Sequence, residues 1–347
     1  METTKRKGRF IMRVYFNRCF TQTAEVIKQL QANDRGEKFE IYLSSYGANY
    51  YLESVSDYFE IEPKEYTIEE YVEYCYQFCL KHQIEVFIPR NLVSELVKAS
   101  DRFEAAGIKV LWMGDPSLYQ LLDHKIQTYR ALETQEIVKI PPYGLVTTYE
   151  EFEVLYRIIR QAGFEVCLKP ADGIGGVGFK RVVEDWTVYD QFQATSSTRI
   201  SLSFLRMALR EREGFEPFML LGYLEGEEFS IDCLAKEGEL IDAVPRFKAD
   251  RYTQQIDPRP ELLDVAKDLT RFFGLSNLYN IQIKYHQGII YLIEINTRMS
   301  GGTYKSCLSG INLLYKAICQ LRGEVVESEW GRLSPCNIRT IQACDVD

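Results

Sequence analysis

The sequence has few of the residues that build metal clips or disulfide frameworks. Its three histidines, at positions 82, 124 and 286, stand far apart, and none of its nine cysteines form a CxxC pair. Cys75 and Cys79 are four residues apart, which suits one face of a helix. These features argue against a structural zinc site. Scattered cysteines of odd number in a chain of 347 residues predict reduced, mostly buried thiols and a cytoplasmic location.

The chain also lacks long apolar runs and an excess of basic charge. No stretch approaches 18 consecutive apolar residues, so we expect no membrane-spanning helix. The basic start, residues 1–9, is followed by a short apolar run that Arg13 interrupts, which argues against a signal peptide. Lysine and arginine number 41 against 50 acidic residues, a net charge of −9. We therefore expect neither a membrane nor a nucleic acid as a partner.

What is present is the composition of a globular protein. Hydrophobic residues make up 46% and charged residues 26%, and the length suits two or three domains. The first third alternates strand-like and helix-like segments, which predicts a parallel sheet covered by helices, a Rossmann-like unit. No GxGxxG follows the first strand, because residues 17–21 read Asn-Arg-Cys-Phe-Thr. We therefore expect no nicotinamide or flavin site in this unit.

Two capping boxes predict where helices begin. Residues 67–70 (Thr-Ile-Glu-Glu) and 148–151 (Thr-Tyr-Glu-Glu) each place a glutamate three positions after a threonine. The helices that follow are expected to reach about residues 82 and 162. One further helix is predicted near residues 93–106.

The most informative segment, residues 166–183, predicts a strand, a glycine-rich loop and a second strand. The first strand ends at Lys169 and Pro170, and the loop contains Gly173, Gly175, Gly176 and Gly178. Glycines let backbone amides approach phosphate oxygens, and the lysine adds a compact cation. Because a strand follows the loop, the segment is neither a Walker P-loop nor a Rossmann turn. A flexible glycine hairpin with an incidental lysine is the alternative.

A second segment, residues 218–232, predicts a sharp corner between two strands. The corner, residues 222–226 (Gly-Tyr-Leu-Glu-Gly), separates an apolar strand from an alternating strand that begins at Glu228. Such a corner can present backbone groups to a flat base and a carboxylate to ribose hydroxyls. A β-turn between two core strands explains it equally well.

The third segment has three oxygen-bearing side chains on two adjacent strands. Glu294 and Asn296 alternate with isoleucines and so face one side of their strand, and Gln282 lies on the antiparallel neighbour. An oxygen-only set suits Mg²⁺, which binds few protein groups and keeps phosphates and water. A polar face exposed to solvent is the alternative.

In this order and spacing, the three segments resemble the ATP-grasp superfamily, in particular the ATP-binding halves of carbamoyl phosphate synthetase and the stand-alone carboxylate–amine ligases. The resemblance covers residues 121–323. Its most specific part is Glu294-Ile-Asn-Thr-Arg298 followed by Ser300-Gly-Gly302, which is similar to the family's E-x-N-x-R-x-S-G-G signature. The resemblance implies an α/β (α+β) fold in which a Rossmann-like domain (1–116) precedes a two-part ATP-grasp domain (117–325). The lid subdomain would span about 145–222, the catalytic sheet about 223–325, and a C-terminal extension 326–347.

The resemblance also implies roles for individual residues. The residues expected to bind ATP are Lys125, Lys169, the loop glycines Gly173, Gly175, Gly176 and Gly178, the adenine linker Leu221, Gly222 and Leu224, and the ribose-binding Glu228. Two Mg²⁺ ions, which Mn²⁺ can replace, are expected on Gln282, Glu294 and Asn296, and Arg298 is expected to stabilise an acyl phosphate. Arg246 and Lys248 would add positive charge near the γ-phosphate or the substrate carboxylate, or else lie on a solvated strand face.

The expected function is that of a cytoplasmic, ADP-forming ligase. It would activate a small-molecule carboxylate as an acyl phosphate and couple it to an amine, as a homodimer. Two alternatives stay open: an acceptor carried by a protein or carrier, and a catalytically silent nucleotide-binding regulator. Nine tyrosines between positions 42 and 76 fit a docking surface for such an acceptor or, as we expect, core positions. The chain has no room for a glutaminase domain, so carbamoyl phosphate synthesis is not expected.

Overall fold

The computed structural model describes residues 11–171, 177–250 and 252–341. Helices hold 36% and strands 28% of the chain, which confirms the mixed α/β prediction. The chain divides into two units. Unit 1 comprises Met1–Asp123, Phe229–Gln282 and Glu294–Asp347, and unit 2 comprises His124–Glu228 and Ile283–Ile293. Within the described ranges, every helix is too short or too polar to cross a bilayer.

The N-terminal part of unit 1 alternates strands and helices. Its elements are β1 (Met12–Phe16), α1 (Gln22–Gln31), β2 (Phe39–Ser45), α2 (Tyr50–Glu53), β3 (Tyr58–Ile61), α3 (Ile68–Lys81), β4 (Val86–Ile88), α4 (Val93–Leu96), α5 (Ser100–Ala105), β5 (Lys109–Val110) and α6 (Pro116–Asp123). The five strands are parallel, in the order β3-β2-β1-β4-β5. The order reverses between β1 and β4, as in doubly wound sheets.

Both faces of this sheet are buried. Along β1, Val14 and Phe16 pack into one apolar cluster and Tyr15 packs into the cluster on the opposite face. The strands therefore read as continuous apolar runs, as is typical of parallel sheets covered on both sides. Of the tyrosines between 42 and 76, Tyr71 is fully buried whereas Tyr50 is 66% exposed. The eight cysteines within the described ranges are free thiols, and seven are buried.

Both predicted capping boxes are confirmed. The Thr67 N–H donates to Glu70 Oε2 at 2.6 Å, and the Glu70 N–H donates to Thr67 Oγ1 at 3.2 Å. Thr148 and Glu151 exchange the same pair of bonds. The helices they begin end at Lys81 and Gln161.

The single helix predicted near residues 93–106 is wrong. A 3₁₀ turn at Val97–Ala99 separates α4 from α5. The predicted segment is therefore helical but is divided at this turn.

Unit 2 contains a second sheet of five strands. Its elements are α7 (Lys125–Leu132), β6 (Tyr143–Val146), α8 (Tyr149–Gln161), β7 (Glu165–Pro170), β8 (Lys180–Val183), α9 (Val188–Gln193), β9 (Arg199–Ser201), α10 (Leu202–Arg210) and β10 (Phe218–Tyr223). The order is β6-β10-β7-β8-β9, and β7 pairs antiparallel with β8, as the hairpin prediction requires. Residues 172–176 of the connecting glycine loop lie outside the described residues.

The remaining elements build a six-stranded sheet. They are β11 (Glu228–Lys236), β12 (Glu239–Lys248), β13 (Thr253–Ile256), α11 (Pro260–Phe273), β14 (Asn277–His286), β15 (Ile289–Asn296), α12 (Thr303–Cys307), α13 (Leu313–Leu321) and β16 (Cys336–Arg339). The order is β15-β14-β11-β12-β13-β16. The predicted C-terminal extension supplies β16, which pairs antiparallel with β13. The hairpin tip, Ile283–Ile293, belongs to unit 2.

Candidate active site

Strands β14 and β15 bring the three predicted metal ligands onto one face. The Asn296 Nδ2 donates to Glu294 Oε1 at 3.1 Å and to Asn280 Oδ1 at 3.4 Å. Because Asn280 lies on β14, these bonds place residues of the two strands on a common face. Side chains alternate along a strand, so Gln282 shares that face with Asn280. The side chains of Gln282, Glu294 and Asn296 are half-buried rather than solvated.

The donor chemistry of this face fits a hard cation. The Asn296 amide nitrogen is occupied by Glu294 and Asn280, which leaves its Oδ1 as the atom available to a metal. One carboxylate and two amide oxygens are the few protein groups that Mg²⁺ takes. No cluster of three His, Cys, Asp or Glu side chains suited to a metal occurs in the part of the chain that the structure describes. Gln282, Glu294 and Asn296 are thus the residues that would hold the ion.

The same face continues onto β11 as a buried polar network centred on Asp232, which is 2% exposed. Its Oδ1 accepts from Asn280 Nδ2 at 2.8 Å, and its Oδ2 accepts from Ser306 Oγ at 2.6 Å and from Arg246 Nε at 3.1 Å. The network therefore links the Arg246 guanidinium to the predicted metal ligands through Asn280. Sequence reasoning missed Asp232 and Asn280, although an aspartate between buried isoleucine and cysteine was a usable indication.

Arg246 is buried in this network and does not lie on a solvated strand face. Besides Asp232, it donates to Gln254 Oε1 at 3.0 Å and to Ser300 Oγ at 2.8 Å. A Cβ built on Gly302 would lie less than 3.0 Å from the guanidinium carbon. The absence of a side chain at Gly302 therefore makes room for Arg246. Lys248, two residues along β12, is exposed.

Arg298 follows β15 and is half-buried near Glu294. Burial lowers its pKa, and the charges of Glu294 and Asp123 partly oppose that shift. Its Nη1 donates to the carbonyl of Met299 at 3.4 Å. No carboxylate in the described ranges forms an ion pair with it. The Arg298 charge is therefore partly desolvated and is attracted by Glu294 and Asp123 without a direct ion pair to either.

In unit 2, two lysines lie near the buried Cys167 of β7. Burial raises the pKa of the Cys167 thiol to about 12, while the charges of Lys169 and Lys284 act in the opposite direction. Lys284 also pairs with Glu228, the predicted ribose ligand, at 3.5 Å. Sequence reasoning missed Lys284. Lys125 is the first residue of α7 and is half-buried.

Close packing explains two glycines of the predicted nucleotide segments. Gly178 has a φ of +75°, and a Cβ there would lie 2.7 Å from the Pro170 ring. Gly222 donates its N–H to the Pro142 carbonyl at 2.8 Å, and a Cβ there would lie 2.9 Å from the Phe164 ring. Its neighbours in the predicted adenine linker, Leu221 and Leu224, are buried. The predicted lid glycines Gly173, Gly175 and Gly176 lie outside the described residues.

Comparison with known proteins finds a family model that matches part of the chain. Residues 214–344 match a family model described as ATP-grasp in the biosynthetic pathway with Ter operon. Curated relatives include the arginine-specific large chain of carbamoyl phosphate synthase from Geobacillus stearothermophilus, 24% identical over 71% of this chain and 22% of that protein. The chain spans a quarter or less of the length of these curated relatives.

Solved structures share the fold at low identity. The L-amino acid ligase of Bacillus licheniformis superposes with a TM-score of 0.64 at 13% identity, over 95% of this chain and 78% of that one. The biotin carboxylase domain dimer of the Hydrogenobacter thermophilus 2-oxoglutarate carboxylase, solved with MgADP, ADP and bicarbonate, gives 0.62 at 15% identity, over 93% and 72%. These likenesses establish the fold.

Proposed function

We propose that this chain, part of which matches an ATP-grasp family model, is a Mg²⁺- and ATP-dependent ligase of that superfamily that joins a carboxylate to an amine and releases ADP and phosphate. The observation that carries the proposal is the shared face of Gln282, Glu294 and Asn296, backed by the buried pair of Arg246 and Asp232. A polar strand face that only contacts solvent would have no reason to retain a buried arginine and aspartate beside it.

The proposed reaction has two steps. An oxygen of the substrate carboxylate attacks the γ-phosphorus of ATP, the bond to the β-phosphate oxygen breaks, and ADP leaves. The amine nitrogen then attacks the acyl carbon, phosphate leaves, and the amine gives up a proton. Because the first step brings two anions together, the site must supply positive charge. Mg²⁺, when bound, would neutralise phosphate oxygens and orient them for in-line transfer.

The residues of unit 1 would act on the acyl side of this reaction. Arg298 would bind the carboxylate and then the acyl phosphate, since its partly desolvated guanidinium has no ion-pair partner among the described residues. Arg246 is held by Asp232 and Ser300, so its charge stays fixed while the substrate charge changes. Fixed cations stabilise a developing charge without reorganisation. Lys248 would add a more mobile charge.

The residues of unit 2 would act on the nucleotide. We assign phosphate binding to Lys125, Lys169 and the loop glycines, adenine binding to Leu221, Gly222 and Leu224, and ribose binding to Glu228. The ion pair of Glu228 with Lys284 would orient the carboxylate toward two ribose hydroxyls. The same proposal includes small-molecule substrates, a second Mg²⁺ ion and the replacement of Mg²⁺ by Mn²⁺. It also includes a homodimer and a cytoplasmic location.

The test is product analysis with substrate pools. Purified protein with Mg²⁺–ATP is incubated with pooled carboxylic acids crossed with pooled amines, and ADP, AMP, phosphate and pyrophosphate are quantified. We expect ADP and phosphate only with a particular pair. Glu294→Gln should lower that rate by about 100-fold or more, since it removes the only carboxylate of the proposed metal set. The exposed Glu239→Gln is the charge-matched control in the same sheet and should leave the rate unchanged.

Two outcomes would contradict the proposal. Formation of AMP and pyrophosphate would show that the intermediate is an acyl adenylate and not an acyl phosphate. ATP binding without turnover in any pool, by a protein that melts cooperatively, would favour a macromolecular acceptor or a nucleotide-binding regulator.

A further inference from the structure

Arg90 occupies the place in the N-terminal sheet where α/β proteins bind ligands. It follows β4 at the carboxyl edge, and the strand order reverses between β4 and β1. In open α/β sheets, the crevice outside the carboxyl ends at such a reversal is the usual ligand position. Sequence reasoning assigned no role to Arg90, because neither a nucleotide fingerprint nor a family motif surrounds it.

A buried amide holds Arg90 in position. The Arg90 N–H donates to Asn17 Oδ1 at 2.6 Å, and Asn17 Nδ2 donates to the Asn91 carbonyl at 3.1 Å and to the Tyr71 hydroxyl at 3.0 Å. Asn17, which follows β1, is fully buried. One side chain therefore clamps the segment after β4 to the segment after β1, and the backbone that carries Arg90 is fixed.

The Arg90 guanidinium has no anionic partner in the part of the chain that the structure describes. Its Nη1 donates to the Met299 carbonyl at 2.6 Å, one residue after Arg298. Burial and the positive charge of Arg298 lower the pKa of Arg90 to about 10. The charge of Asp232 attracts Arg90, but Asp232 already pairs with Arg246. A desolvated arginine next to a second arginine is costly unless an anion binds there.

Further positive charge surrounds Arg246 on the same unit. Lys305 of α12 is half-buried, and its pKa is lowered by burial and by the charges of Arg246 and Lys248. Neither lysine forms an ion pair among the described residues. In the proposed reaction Arg298 binds the reacting carboxylate and its acyl phosphate. Arg246 is already paired with Asp232. Arg90 and Lys305 exceed what a monocarboxylate needs.

Resting on the function proposed above, we propose that the carboxylate substrate carries a second anionic group, a carboxylate or a phosphate, and that Arg90 binds this group. Arginine has five N–H donors in a planar fork that matches either oxyanion, and the bond to Met299 uses one. Because Arg90 touches the carbonyl that follows Arg298, the two anionic groups would belong to one small molecule. Arg90 is then a specificity-determining residue, and Lys305 adds to the positive electrostatic potential that attracts the substrate anion.

The test compares matched acids that differ in one charge. The dianionic acids are succinate, glutarate and glutamate, and their monoanionic counterparts are butyrate, pentanoate and norvaline. A further dianion, 3-phosphonopropanoate, represents a substrate whose second group is a phosphate. ADP release is measured for each acid with pooled amines. We expect wild type to prefer the dianions by about 30-fold or more in kcat/KM. Arg90→Gln should remove that preference by raising KM for the dianion, with the KM for ATP unchanged. The exposed Arg102→Gln is the control.

A purely structural role for Arg90 predicts different data. Arg90→Gln would then lower the melting temperature and reduce turnover of mono- and dianionic acids equally, which would overturn the inference. Equal use of both acid classes by wild type would overturn it as well, with the ligase proposal intact. Preference for 3-phosphonopropanoate over glutarate supports the phosphate source, and the reverse order supports the carboxylate.

A binding measurement separates this inference from the proposed function. The same dianions are titrated calorimetrically into wild type and Arg90→Gln with Mg²⁺–ADP present. Binding to wild type that weakens by about 30-fold in the variant supports the anion site even if no acid is turned over. The absence of dianion binding to wild type overturns the inference.

Discussion

Replacing Gly302 with alanine should displace the Arg246 guanidinium and thereby test whether Arg246 acts in a fixed position. A Cβ at Gly302 would lie less than 3.0 Å from the guanidinium carbon and from both of its terminal nitrogens. The backbone of Gly302 has φ −98°, which any residue adopts, so the alanine would act through this contact alone. The neighbouring Gly301 has no atom within 4 Å of such a Cβ.

The magnitude follows from what the guanidinium would lose. It makes bonds of 3.1 Å to Asp232, 3.0 Å to Gln254 and 2.8 Å to Ser300, and a sideways shift would lengthen all three. Forcing one extra carbon into a packed site costs about 1–3 kcal/mol. We therefore expect Gly302→Ala to lose about 2 kcal/mol of stability. Turnover should fall at least about tenfold, the equivalent of 1.4 kcal/mol.

The assay is paired, with Gly301→Ala as the control. Melting temperature and steady-state ADP release are measured for both variants, and the Gly301 variant should match wild type. Equal behaviour of the two variants would refute the packing argument. If the Gly302 variant is destabilised but keeps full turnover, the packing argument holds and the proposed role of Arg246 in the reaction is refuted.

Three further predictions concern other contacts. Asp232→Asn leaves the buried Arg246 charge without its anion and should destabilise the protein by about 3 kcal/mol, which a double-mutant cycle with Arg246→Gln would show as strong coupling. Gly226→Ala would push a Cβ against the Tyr285 carbonyl and should lower the melting temperature by the equivalent of about 1–3 kcal/mol, whereas Gly47→Ala, with open space around it, should not. Burial lowers the pKa of His82, so the unfolded chain takes up the His82 proton at a higher pH than the folded protein does. Stability that is present above the ordinary pKa of 6.5 is therefore lost as the pH falls below it. His82→Phe should make the melting temperature less dependent on pH between about pH 7 and 5, and an unchanged pH dependence would contradict this.

Local patterns carried most of what the sequence predicted. A capping box such as Thr67 with Glu70 needs only neighbours three residues apart, so its bonds follow from the sequence alone. Glu294 and Asn296 likewise share a face because strand side chains alternate. Gln282 lies on the antiparallel neighbouring strand, and the bond between Asn296 and Asn280 supports a common face for the two strands.

Long-range contacts were beyond this reasoning. Asp232 and Asn280 are 48 residues apart, and only sheet pairing brings them together. Arg90 and Met299 are 209 residues apart, and no motif around Arg90 indicates the contact.

The measurement that tests the central proposal most directly follows one oxygen atom. The substrate carboxylate is labelled with ¹⁸O, turned over with Mg²⁺–ATP and the amine, and the phosphorus products are examined by ³¹P NMR. Attack of the carboxylate on the γ-phosphorus predicts ADP and inorganic phosphate that carries one ¹⁸O atom per turnover. Label recovered in AMP, or phosphate without label, would contradict the acyl phosphate and with it the roles assigned to Arg298 and Glu294.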